Sequence, residues 1–334
     1  MISIKKLATS SAIAALACVS LNASAANIKV STNVAETSTW VAGAKKFKEL
    51  VETRSEGRHT VQIYPNATLA SGNDRVEIEM AQAGAIDIVL KSTVWLAQLD
   101  SKFMAISLPW AFPDADSALR VMDGAPGKEL NTILRKKNLQ ALAWGSGGFF
   151  QLYSNAGPIK TPEDIAGVKI RTPGLSLFLD SWKAVGSVPV ALNFSEVFSS
   201  LQAGAIEGGI SPVPLIYSSR FFEVSKHISL VNFSFEAIGL LASNVFWSGL
   251  SEADQKMIQE AATEAMRHQR QVAAEQENVQ KQKMAEAGVS IYTPTPEQIA
   301  AFRAKAQDVL PPFVDKIGRG FVDSINAELA KSSS

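Results

Sequence analysis

The chain has 334 residues, 32 Lys+Arg against 32 Asp+Glu, and a single cysteine. Balanced charge without a basic run excludes the electrostatic footprint of a nucleic-acid or anionic-membrane binder. One cysteine excludes a disulfide framework, so packed cores alone must hold a chain long enough for two ordinary domains.

The first 26 residues read as an export signal: Lys5 and Lys6, an apolar stretch from Leu7 to Leu21, then the small-residue cleavage site Ala23-Ser24-Ala25. Cys18 lies inside that stretch, and Ala15-Leu16-Ala17 before it makes a poor lipid-attachment motif, so periplasmic release is expected rather than anchoring. No later segment reaches the roughly 18 continuous apolar residues of a membrane span.

Beyond the signal, short apolar runs at 27–32, 59–64, 85–90 and 139–144 alternate with helical stretches at 38–55, 74–83 and 115–137, an α/β pattern. It resumes with expected strands near 150–154, 167–171, 188–192 and 205–210 and helices near 176–185 and 195–203. Gln82-Ala83-Gly84-Ala85-Ile86-Asp87 recurs as Gln202-Ala203-Gly204-Ala205-Ile206-Glu207, each a helix stop followed by a strand. Such an echo implies two similar lobes, which would share a cleft at their strand ends. From Ser251 to Ala287 there is neither Gly nor Pro, so one helix of roughly 55 Å is expected, long enough to brace both lobes. A strand near 289–292 and helices near 296–309 and 312–330 follow.

The residues offer little catalytic chemistry. His59, His227 and His268 are scattered, with no metal-ligand spacing and no cysteine to complete a site. Trp144-Gly145-Ser146-Gly147-Gly148 lacks the Gly two residues before the Ser that a nucleophile elbow needs, and reads as a turn. No phosphate-cradling glycine motif is present, so no cofactor is expected. A binding cleft, by contrast, asks only for apolar walls and a few convergent polar groups.

In GVKIRTP, residues 167–173, alternation places Val168 and Ile170 on one face and Lys169 and Arg171 on the other. From the residues alone, Arg171 is either part of a solvated face or a fixed cation beside a ligand.

The segments VQIYPNATLA, ISLPWAF, IKTPEDIAGVKIRTP and NFSEVFSSLQAGAIEGG, in this order, resemble the DctP-like solute-binding proteins of TRAP (tripartite ATP-independent periplasmic) transporters. The resemblance covers nearly the whole mature chain. It implies an α/β, two-lobed, periplasmic-binding-protein-like fold of the Venus-flytrap kind, with a long helix bracing both lobes. The expected organisation is a signal over 1–26, lobe I over 27–150 with a returning segment near 235–250, and lobe II over 151–234 with part of the C-terminal region. The bracing helix spans 251–287, and a C-terminal strand and helices occupy 288–334. The implied function is non-enzymatic: a small organic-acid ligand is captured and delivered to TRAP membrane subunits. An exported enzyme on the same fold and a ligand sensor for a membrane receptor remain as alternatives.

By the same resemblance Arg171 matches the family's carboxylate anchor, Phe194 an aromatic packed on the ligand, and Asn33 a polar contact ending the first strand. Three exchanges depart from the pattern: Phe150 where many relatives carry a second Arg, Ser211 for a common Asn, and Ser92 for an acid, with Trp95 close by. They imply a less charged, more aromatic pocket and a ligand with one principal carboxylate and a sizeable apolar or aromatic body. Phe149 and Phe150 should face opposite ways, and Phe150 is expected to line the cleft.

Overall fold

The computed structural model describes residues 25–331; the expected export signal, Cys18 included, lies outside them. The first lobe begins with β1 (Asn27–Thr32), α1 (Thr39–Arg54), β2 (Thr60–Tyr64), α2 (Asp74–Gln82) and β3 (Ile88–Ser92), with β2 and β3 both parallel to β1. Ile28 and Val30 enter a core with Trp40, Ala44 and Phe47 of α1, which leaves Lys29 and Ser31 on the opposite face. The later strands are β4 (Leu139–Ser154), β5 (Lys169–Thr172), β6 (Val188–Ala191), β7 (Gly208–Pro212), β8 (His227–Ser229), β9 (Phe235–Ser243) and β10 (Ser290–Tyr292). Their order is β2-β1-β3-β9-β4-β7-β5-β6, with β8 on β4 and β10 on β8.

The sequence echo has a structural counterpart. Gly84 and Gly204 both take the left-handed conformation that ends a helix, at φ +78° and +69°. Just beyond each, an acid reaches the backbone of the neighbouring strand: Lys29 N donates to Asp87 (2.8 Å) and Lys169 N to Glu207 (3.0 Å). In register, Val30 faces Ile88 as Ile170 faces Gly208, so β5 stands where β1 stands and β7 where β3 stands. Arg171 thereby occupies the place of Ser31, and Ser211 the place of Lys91.

One strand joins the lobes. From Leu139 to Phe149 β4 pairs with β9; from Phe150 to Ser154 it pairs with β7. The stretch Trp144–Gly148 is therefore strand, not the turn expected from its glycines. Its irregularity is two register shifts, between Ala141 and Ala143 and between Ser146 and Gly148. The glycines answer to packing instead: a Cβ on Gly145 would lie 2.4 Å from Gln269 Oε1.

Gln269 belongs to the long helix, Glu252–Glu286, which matches the expected span and starts on a Ser251 cap. Its apolar stripe Ile258, Ala261, Ala262, Ala265 and Met266 is fully covered. The close approach of α1 depends on Gly43, where a Cβ would come within 2.8 Å of Gln269 Cβ. The Gln269 amide is also fully buried and clasps the backbone of β4, accepting from Ser146 N (2.9 Å) and donating to Ser146 O (2.8 Å). The brace is thus fastened at the crossing point of the lobes. The C-terminal region departs from expectation in detail, since Gly318 (φ +97°) splits the last helical stretch into Pro311–Ile317 and Arg319–Ala330.

Replacing Gln269 by Leu keeps the volume but strands the N–H and C=O of Ser146. Urea denaturation should show a loss of about 2–6 kcal/mol, at roughly 1–3 kcal/mol for each buried group left without a partner.

Candidate functional site

Arg171 sits on β5 one residue before its end, and only 2% of it is exposed. Nε and Nη2 both donate to the Leu192 carbonyl, at 3.2 and 3.1 Å, and the guanidinium lies 5.6 Å from the Phe194 ring centre. No carboxylate among the described residues forms a salt bridge with it. Burial therefore pulls its pKa below the usual arginine range, opposed only by field effects from Tyr153, Asp74, Glu236 and Glu196. A buried cation without a counter-ion is costly, and this one keeps donors to offer an incoming anion.

The first lobe supplies a different arrangement. Lys91, on β3, is fully buried with Nζ at 2.6 Å from Asp74 Oδ1 and 2.6 Å from Glu77 Oε2, while Ser31 donates to Glu77 at 2.6 Å. Burial alone would draw the ammonium's pKa down; the Glu77 and Asp74 carboxylates overcome it and hold the group above its ordinary value. Asp74 also accepts from the backbone N–H of Phe194 (3.3 Å), and Ser195 Oγ donates to the Gly72 carbonyl (3.0 Å). Both bonds run from the first lobe to the second, so the cleft is closed.

The predicted residues divide. Phe194 lies against Arg171 and touches Phe221 with ring centres 5.4 Å apart. Asn33 is buried at the end of β1, and its Oδ1 has no hydrogen-bond partner among the described residues. Ser211 is buried in β7 opposite Gln151. Ser92 Oγ accepts from Val94 N (3.2 Å) and so caps the short helix Thr93–Leu96. Trp95, half-buried, lies 5.7 Å from Lys91 Nζ.

Phe150 corrects an expectation. Its ring lies in the core, 5.2 Å from that of Phe178 and 1% exposed. Register explains why: Arg171 and Tyr153 both oppose Gly209, so odd-numbered residues of this part of β4 share the arginine's face. Phe149 does not replace it, for it packs on Phe235 and lines a separate recess of about 290 Å³ with Gly147, Pro214 and Arg270.

Residues 30–316 match the family described as bacterial extracellular solute-binding protein, family 7. The chain belongs to this family. It is 33% identical over 324 residues to the C4-dicarboxylate-binding periplasmic protein DctP of Shewanella loihica, covering 96% of each chain. Among solved structures it resembles a TRAP periplasmic solute-binding protein of Shewanella oneidensis with bound succinate (30% identity, TM-score 0.86, 91% of this chain and 99% of the other). It also resembles one from Chromohalobacter salexigens with bound D-glucuronate (28%, TM-score 0.85, 91% and 99%). The two-lobed fold with its long helix is that of these solute-binding proteins.

Two further groups of this family 7 protein face the cleft and were missed in the sequence. Tyr153 is buried with its hydroxyl unpartnered, reaching over Gly209, where a Cβ would lie 2.3 Å from it. Glu236, at the start of β9, is 5% exposed, and its Oε2 has no partner among the described residues. Burial pushes the Glu236 carboxyl up to about 7, against the pull of Ser92 and Arg171. Thr32 and Thr172, at matching positions ending β1 and β5, likewise keep buried hydroxyls without partners. No local pattern flags them, except that Glu236 interrupts an otherwise apolar strand.

Folding holds the Glu236 proton more tightly than the unfolded chain does, so its contribution to stability is intact below about pH 4.5 and is lost as pH rises through about 7. Unliganded protein should therefore lose on the order of 3 kcal/mol across that window relative to Glu236→Gln, measured as the difference between their denaturation curves.

Proposed function

We propose that the protein is the periplasmic solute-binding subunit of a TRAP transporter, a non-catalytic receptor that captures a small organic acid through Arg171 and passes it to the membrane subunits. The observation that carries this reading is a buried guanidinium with no carboxylate partner in a cleft whose two lobes touch through Asp74 and Phe194. A ligand carboxylate supplies the missing counter-charge. One edge of the guanidinium is held by Leu192, which orients the remaining donors for two parallel hydrogen bonds to that carboxylate. The relatives that carry succinate and D-glucuronate support this ligand class. No helix among the described residues is long and apolar enough to cross a membrane, as a receptor working in the periplasm requires.

A single principal carboxylate fits the charges, because Lys91 is matched by two acids and Arg171 by none within salt-bridge distance. The apolar or aromatic ligand body expected from the sequence now rests on Phe194 and Trp95 without Phe150. The partnerless oxygens of Thr32, Asn33, Tyr153 and Thr172 support a ligand that carries further polar groups.

A thermal-shift screen of organic acids identifies binders, because ligand stabilisation reaches about 2.7 kcal/mol at a hundredfold excess over Kd. Titration calorimetry with any acid so found should then show Arg171→Ala costing about 2–5 kcal/mol, roughly thirtyfold or more in Kd. An affinity unchanged within about twofold would remove Arg171 as the anchor.

A further inference from the structure

Glu236 stands where the two lobes meet, opposite Gly148 in β4 and beside Gly147, where a Cβ would lie 2.7 Å from Glu236 Oε2. Its neighbour Phe235 turns to the other face and packs on Phe112 and Phe149. The charged groups around the carboxyl come from three elements: Arg171 of β5, Asp74 of α2 and Lys91 of β3. From β4 it meets only Gly147 and Gly148, and Ser92 adds a hydroxyl. Lys91 and Arg171 are balanced by Asp74 and Glu77, so the cluster is neutral before Glu236 is counted. A ligand carboxylate on Arg171 makes it negative by one. An ionised Glu236 would add a second negative charge at a buried position.

We infer that Glu236 is a specificity-determining residue: in the closed complex it is protonated and donates a hydrogen bond to a second oxygen of the ligand. This rests on Arg171 as the carboxylate anchor and deepens it. The ligand class is then a hydroxy or oxo acid, with its carboxylate on Arg171 and its hydroxyl or carbonyl oxygen on Glu236. Above about pH 7, capture of a monoanion takes up one proton from solvent, which goes to the Glu236 carboxylate.

The test compares matched acids that differ in one oxygen: lactate and pyruvate against propionate, phenyllactate against 3-phenylpropionate, and D-glucuronate as a larger probe. Calorimetry near pH 8 in two buffers of different ionisation enthalpy counts the protons taken up. Wild-type protein should bind at least one hydroxy or oxo acid with uptake approaching one proton, and its affinity should fall about tenfold per pH unit above 7. Glu236→Gln, a permanently neutral donor, should keep binding near pH 7 and lose both the pH dependence and the uptake. Glu236→Ala should erase the preference for the oxygen-bearing member of each pair.

Binding without proton uptake, a pH-independent affinity, or a preference untouched by Glu236→Ala overturns the role of Glu236. Failure of every hydroxy and oxo acid to bind at millimolar concentration overturns the ligand class. In each of these cases, Arg171-dependent binding of propionate or 3-phenylpropionate leaves the transport reading standing. Binding of these acids that survives Arg171→Ala undermines that reading instead.

Discussion

Moving a guanidinium out of water costs several kcal/mol unless an anion or a full set of acceptors replaces the solvent. At Arg171 the protein supplies one carbonyl, from Leu192, and the face of one ring, from Phe194, and no salt-bridging acid among the described residues. Much of the surrounding structure is arranged to hold that cation in place and to leave its charge unanswered. The contrast with Lys91 is instructive, because that cation is buried as completely yet sits between two carboxylates. One lobe carries a neutralised cation and the other an available one.

Asp74 links the two charges. It closes the Lys91 cluster in the first lobe and accepts the backbone N–H of Phe194 from the second. Closure, the position of the aromatic ring and the field at Arg171 consequently depend on one carboxylate. The Ser195–Gly72 bond stands beside it, and Gly72 adopts φ +78° with no room for a Cβ against Ser195. Both contacts are single hydrogen bonds between polar groups.

The hinge shows the complementary physics. β4 passes from β9 to β7, and its pairing with β9 carries two register shifts, irregularities that leave ladder groups unpaired. The long helix prevents this by presenting the Gln269 amide to the Ser146 backbone, in effect one extra rung of sheet supplied by a side chain. Gly43 and Gly145 bring the helix close enough to do it. The backbone of the crossing strand is thereby satisfied at Ser146.

Periodicity and punctuation in the sequence were enough to lay out most α/β elements, though not β8 or β9, together with the long helix from Ser251, the two lobes echoed at Gly84 and Gly204, and the strand that carries Arg171. These features are local: alternation, a missing Gly or Pro over 37 residues, or a left-handed glycine can each be read within a few neighbours. The tertiary structure alone decided that Phe150 turns into the core, that Tyr153 shares the face of Arg171, that Trp144–Gly148 continues a strand, and that Glu236 stands among Arg171, Lys91 and Asp74. Burial and charge balance are sums over groups brought together from distant parts of the chain. Two bulges in β4 shift which residue faces which partner, and no window of sequence contains both sides of that choice.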